Sequence, residues 1–249
     1  MNNVDALTLR FKLQLAILSD AGFEVPKKAR ILDLGCGEGS MVHALRVAGY
    51  DAWGCDIELR ESGAARELIE RGWVKEIPLQ PYRLPFADSE FDVVLSDEVL
   101  EHVQNYPEFI KENHRVSKPG GVSLHIFPGR WTLIEMHTHV PFGSVYRNYP
   151  WLLLWAALGI RNEYQKESRS REVAWRNWEF LRKRTNYLPA TEIRRLFASK
   201  FSVVQFREDL FLKHSISPRG HAVHKIVSWF PFLLSIYATC WNRVLVLLK

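Results

Sequence analysis

Asp33, Gly35, Gly37 and Gly39 are the first residues of this chain whose types and spacing suit chemistry. They follow the aliphatic run at 30–34 and precede Ser40 to Val47, where apolar positions recur at helical spacing, so the stretch reads as buried strand, glycine-rich turn and helix. Glycines let a backbone turn sharply and approach a ligand where a Cβ would collide. The dinucleotide pattern G-x-G-x-x-G would need glycine where Ser40 stands, so the loop is D-x-G-x-G-x-G and a nicotinamide dehydrogenase is disfavoured. An acid at the strand end suits a ligand with positive charge. A second acid, Asp56, closes the short run from Tyr50 to Cys55, about the 20-residue separation at which a carboxylate takes ribose hydroxyls. A glycine-rich turn alone is compatible with a plain βα connection; with both acids it implies a nucleoside-bearing cofactor.

A second constellation follows the apolar run Phe91 to Ser96. Glu98, Glu101 and His102 stand at i, i+3 and i+4, and in a helix they share one face within an arc of about 100°. Three readings are open: a divalent-metal site, since two carboxylates and an imidazole suit Mg²⁺, Mn²⁺ or Zn²⁺; His102 as a base without metal; or a purely structural pair.

The elements that must position these groups can be read in order. Residues 4–22 are an amphipathic helix, either a cap over the cofactor cleft or an ordinary core helix. Helices are expected at 61–71, 107–116 and 191–199, and strands at 73–79, 91–96, 122–127 and 201–206, with a turn at Lys118-Pro119-Gly120-Gly121. Alternating strands and helices imply parallel units with right-handed crossovers, hence an α/β doubly wound sheet with its ligand at the carboxyl ends of the strands.

Residues 30–128 resemble the class I S-adenosylmethionine (SAM) dependent methyltransferase superfamily. The resemblance rests on the D-x-G-x-G-x-G loop, Asp56, L-P-F-A-D-S-E-F-D-V-V (84–94), E-V-L-E-H-V (98–103) and K-P-G-G (118–121). It implies a Rossmann-like seven-stranded sheet with an antiparallel last strand at 244–248 and a helical insertion or lid. It further implies SAM held by Asp33, Gly35, Gly37, Gly39, Asp56, Ile57 and Ser96. Where the family often places an acid for the adenine amino group, this chain has Gln80, whose carbonyl is the available acceptor. The E-x-x-E-H segment resembles the metal motif of ubiquinone-pathway and small-RNA methyltransferases. That likeness implies Mg²⁺ or another divalent metal on Glu98, Glu101 and His102, completed by His137 or His139, with His102, Glu98 and His139 as the catalytic set.

The expected organisation is an N-terminal helix or cap at 1–28, a SAM-binding core at 29–128, a helical insertion forming the acceptor pocket at 129–190, and a C-terminal part at 191–249. The insertion holds Trp151, Trp155, Trp175 and Trp178, most of them read as core. Residues 226–241 lack a formal charge, but they fall short of a span, contain Pro231 and precede Asn242-Arg243, so a lid helix is expected there. The net charge of +5 is uneven: residues 1–160 sum to −5 and residues 161–249 to +10. Three cysteines with no paired spacing, and a start unlike a signal peptide, suggest a cytoplasmic protein. The basic half is a solvated face or serves an anionic partner: a phosphorylated small-molecule acceptor, a membrane surface, or nucleic acid. The expected function is O-methylation of a small-molecule hydroxyl, with a sugar or lipid-linked glycan favoured. RNA methylation and SAM binding without turnover are the alternatives.

Overall fold

The computed structural model describes residues 3–59, 63–78 and 80–249. Met1 and Asn2 of the expected N-terminal unit, Glu61 and Ser62 of the third expected element, and Leu79 at the end of the expected short strand lie outside the described residues.

The strands are β1 (Arg30–Leu34), β2 (Asp51–Asp56), β3 (Val74–Glu76), β4 (Phe91–Asp97), β5 (Ser117–Pro128), β6 (Val203–Phe206) and β7 (Asn242–Leu248). They form one seven-stranded sheet in the order β3-β2-β1-β4-β5-β7-β6. β1 to β5 pair in parallel, and β7 runs antiparallel to both β5 and β6. This is the doubly wound, Rossmann-like α/β sheet with an antiparallel last strand that the sequence implied. The expected Lys118–Gly121 turn sits inside β5, where the register against β4 jumps from Phe91–Ser117 to Val93–Val122.

The helices are α1 (Asn3–Asp20), α2 (Ser40–Val47), α3 (Gly63–Glu70), α4 (Tyr106–Val116), α5 (Tyr149–Ala157), α6 (Ser170–Arg184), α7 (Ala190–Phe197), α8 (Glu208–Lys213), α9 (Pro218–Trp229) and α10 (Phe232–Cys240). Alternation along the strands divides the core in two. Ile31, Leu95, Leu124 and Val246 face a cluster with Phe11 and Leu18 of α1 and Leu45 of α2. Leu32, Leu34, Val94 and Leu247 face a cluster with Phe109 and Ile110 of α4 and Phe197 of α7. α1 is thus a core helix, and it also reaches the cleft, because Arg10 bonds Asp97 at the end of β4.

Within the 129–190 insertion, α5 and α6 enclose a third cluster of Val140, Leu152, Val173, Ala174 and Leu181. Trp151, Trp155 and Trp178 pack against it, whereas Trp175 stands exposed. One expectation is corrected. Residues 226–241 are not a continuous lid helix: Pro231 has no N–H to donate, and the segment breaks into the ends of α9 and α10. No helix of the described residues is long and apolar enough to cross a membrane.

Candidate active site

The loop between β1 and α2 is built from positive-φ glycines. Gly35 sits at φ 83°, with a would-be Cβ 2.3 Å from Val99 Cγ2, so both its conformation and its space demand glycine. The amides of Gly35 and Cys36 bond the Cys55 carbonyl, and Gly37 N–H donates to Asp56 Oδ2 at 2.7 Å. Gly37 and Gly39 also have positive φ, and space is open around Gly37. Gly35→Ala should destabilise the protein by about 2 kcal/mol or more. Chemical denaturation checks this, and Val99→Ala in the same chain should recover the part due to the clash.

Three strand ends converge in carboxylates. Asp33 of β1 is 7% exposed, and among the described residues no donor bonds its side chain. Burial, then the charges of Asp97 and Asp56, push its pKa up to about 7. Asp56, at the end of β2, also accepts from Glu58 N–H. Ile57 beside it is exposed and offers an apolar face. Asp97 pairs with Arg10, whose second nitrogen lies 4.0 Å from Glu98. An acid-lined cleft with one unbonded, buried carboxylate fits a cationic ligand, and Asp56 next to the loop fits hydroxyl groups of a nucleoside. Gln80 lies exposed beyond β3.

Two cofactor and metal expectations are corrected. Ser96 does not face the cleft; it is buried and bonds His125 Nδ1 at 2.7 Å. His125 in turn bonds Asn113, and burial lowers its pKa to about 3, so this is a neutral core network. The E-x-x-E-H segment is not a helix face, because Glu98 takes φ 57° and only Leu100–His102 form a short 3₁₀ turn. Glu98 therefore projects toward Arg10, while Glu101 is buried at 2% exposure. Burial, with a backbone hydrogen bond opposing and Glu98, Asp97 and Glu135 adding to it, holds the Glu101 pKa near 8. Among the described residues no group of three His, Cys, Asp or Glu side chains could hold a metal ion, so Glu98, Glu101, His102 and His137 do not fit the expected site.

What does come together is a pair of imidazoles. The His102 and His137 rings meet edge to face at 4.8 Å. His102 Nδ1 bonds the Arg184 carbonyl at 2.7 Å, and His137 Nδ1 bonds Glu135 Oε1 at 2.7 Å. Each ring thus carries its proton on Nδ1 and has Nε2 as its basic atom. Burial lowers the His102 pKa. Glu135, fully buried, also accepts from Thr138 N–H and Oγ1 and from the Tyr187 hydroxyl. Burial alone would raise its pKa, but the His137 bond and charge and the Thr138 bonds outweigh it and bring it to about 2. A carboxylate-held imidazole is a stronger base than a carbonyl-held one. His139 stands exposed at φ 60°, outside this pair. Sequence reasoning missed Glu135 and Tyr187; the one available signal was an acid two residues before a histidine. The segment links the two groups: Val99, pressed against Gly35, is three residues before His102, and Glu101 between them feels the charges of both Asp97 and Glu135.

Comparison with known proteins agrees with this geometry. Residues 32–124 match a family described as a methyltransferase domain. Norajmaline N-methyltransferase of Rauvolfia serpentina is 33% identical over 113 residues, which cover 43% of this chain and 38% of the relative. Ubiquinone biosynthesis O-methyltransferase of Methylococcus capsulatus is 37% identical over 95 residues, covering 37% of this chain and 40% of the relative. The chain therefore matches about two fifths of the length of these relatives. Among solved structures, an S-adenosylmethionine dependent methyltransferase from Mesorhizobium loti superposes with a TM-score of 0.55 at 14% identity, covering 99% of this chain and 100% of that one.

Proposed function

We propose that this chain is a class I SAM-dependent methyltransferase, in keeping with the methyltransferase-domain match over residues 32–124, and that it methylates a hydroxyl of a small-molecule acceptor. The observation that supports a hydroxyl is the Glu135-held His137, packed edge to face on His102. An amine, thiol or activated carbon needs little besides alignment, whereas an aliphatic or sugar hydroxyl must lose its proton as it attacks.

SAM supplies a methyl group already activated on a sulfonium. The residues of this chain do the remainder. Asp33 would pair with the cationic end of the ligand, Asp56 would take the ribose hydroxyls, and Ile57 would offer its apolar face to the base. His137 Nε2 accepts the acceptor's proton while the acceptor oxygen bonds the methyl carbon and the carbon–sulfur pair stays on sulfur. Glu135 stabilises the imidazolium that forms. Glu101 and Tyr187 keep their protons at neutral pH, so the negative charge held against His137 is that of Glu135.

Methyl-labelled SAM incubated with a panel of alcohols, sugars and polyprenyl-linked sugars tests this. The expected result is label in a methyl ether, matched by S-adenosylhomocysteine. Label found only on nitrogen or carbon, or RNA as the sole acceptor, would refute it.

A further inference from the structure

We propose that α9 and α10 form a docking surface for an anionic lipid bilayer. The two short helices meet at Pro231 and turn their large apolar side chains outward: Trp229 is 82% and Phe232 66% exposed, and Ile226, Phe230, Ile236 and Trp241 are also exposed. A globular domain does not leave so many neighbouring large apolar groups in water without a partner. Aromatic residues, tryptophan above all, favour the headgroup–acyl boundary, and a pair of helices lying flat needs no spanning length.

Charge selects the occupant. Residues 210–249 contain no Asp or Glu. Lys213 and His214 are held by Asp20, Arg243 by Glu208, and Lys249 by the His114 and Ser117 carbonyls, while Asp209 pairs with Arg207. Arg219 and Lys225 stand exposed on α9, the same helix as Ile226 and Trp229. An exposed aromatic ridge flanked by Arg219 and Lys225, in a stretch of forty residues without an acid, complements anionic headgroups over apolar chains. A second copy of the same face would set like charges against each other.

The surface is joined to the active site. Gly129 N–H bonds the Trp241 carbonyl and Trp131 N–H bonds the Thr239 carbonyl, with no room for a Cβ at Gly129 against Thr239. The chain then runs through exposed Trp131, Leu133, Ile134 and Met136 to Glu135 and His137. A bilayer seated on α9 and α10 would thus border the strip that carries the base, a placement suited to an amphiphilic acceptor. This last step rests on the proposed methyl transfer; the docking itself does not.

Vesicle flotation tests it with the full chain. Phosphatidylcholine vesicles containing about a third phosphatidylglycerol should carry the protein, pure phosphatidylcholine should carry far less, and salt should weaken the binding. The Trp229→Ser/Phe230→Ser/Phe232→Ser variant should lose at least about tenfold in bound fraction while its Tm and SAM affinity stay unchanged, because these side chains are exposed. Arg219→Glu/Lys225→Glu should abolish the preference for anionic lipid. Three results overturn the proposal: no flotation with either vesicle, vesicle binding untouched by the aromatic variant, or a dimer in sedimentation that the aromatic variant dissociates. Flotation without methyl transfer would leave docking standing and sink only the enzymatic reading.

Discussion

His137→Gln should lower kcat by about 10²- to 10⁴-fold, the usual contribution of a positioned general base, while SAM affinity stays within about twofold of the parent. The split is diagnostic because His137 lies in the insertion, whereas the proposed cofactor contacts come from the ends of β1 and β2. Glu135→Gln should cost less, about 10- to 100-fold, because His137 survives but loses the carboxylate that orients it and stabilises its charged form. His102→Gln should cost less again: its Nδ1 faces only a backbone carbonyl, and burial lowers its pKa. Steady-state kinetics with the identified acceptor, paired with calorimetric SAM binding, orders the three. If His137→Gln keeps full kcat, His137 is not the base. The Glu135 charge also enters stability. Its folded pKa is depressed from 4.5 to about 2, so its stabilising contribution is complete above about pH 4.5 and disappears as pH falls toward 2.

SAM affinity should depend on pH through Asp33. In the free protein this carboxyl has a pKa of about 7, raised by burial and by Asp97 and Asp56, and a cationic ligand binds its ionised form. Below pH 7 the ligand must displace a proton, so Kd should rise about tenfold per pH unit, and above it Kd should level off. At pH 7, calorimetry in buffers of different ionisation enthalpy should detect the release of about half a proton per SAM bound. Asp33→Asn should weaken SAM by about 10- to 100-fold above pH 7, the worth of one or two charge-assisted bonds, and erase the pH slope. The sign for folding is opposite. A raised folded pKa means that the wild type loses stability as pH climbs from about 4 through 7, so Asp33→Asn should raise Tm of the ligand-free protein increasingly over that range. A pH-independent Kd in the wild type would remove Asp33 from the cation site.

The cradle was legible because its rules are local. Asp33, the three glycines and Asp56 lie at strand ends whose positions follow from apolar runs, and positive φ at Gly35 is a property glycine brings unaided. The reading of Glu98, Glu101 and His102 failed for a local reason as well. It assumed a regular helix directly after β4, but Glu98 turns into the left-handed region, its N–H bonds the Ile126 carbonyl of β5, and the helical turn starts only at Leu100. Ser96 was assigned to the cofactor by resemblance alone, whereas its hydroxyl faces His125, its partner on the neighbouring strand. The break at Pro231 could be seen in sequence, yet whether the flanking apolar residues would be buried could not, since burial depends on what else packs there.

The amino-acid sequence alone determined that this chain builds a parallel sheet with a glycine-and-acid cofactor loop, because hydrophobic period and backbone freedom act within a few residues. Only the tertiary structure decided which imidazole is held by a carboxylate. His102 is held by Arg184, 82 residues away, and Glu135 by Tyr187, 52 residues away. Hydrogen bonds over such separations exist only after the sheet and the insertion have closed on each other and met the entropy of bringing those segments together. No pattern in the linear chain records them.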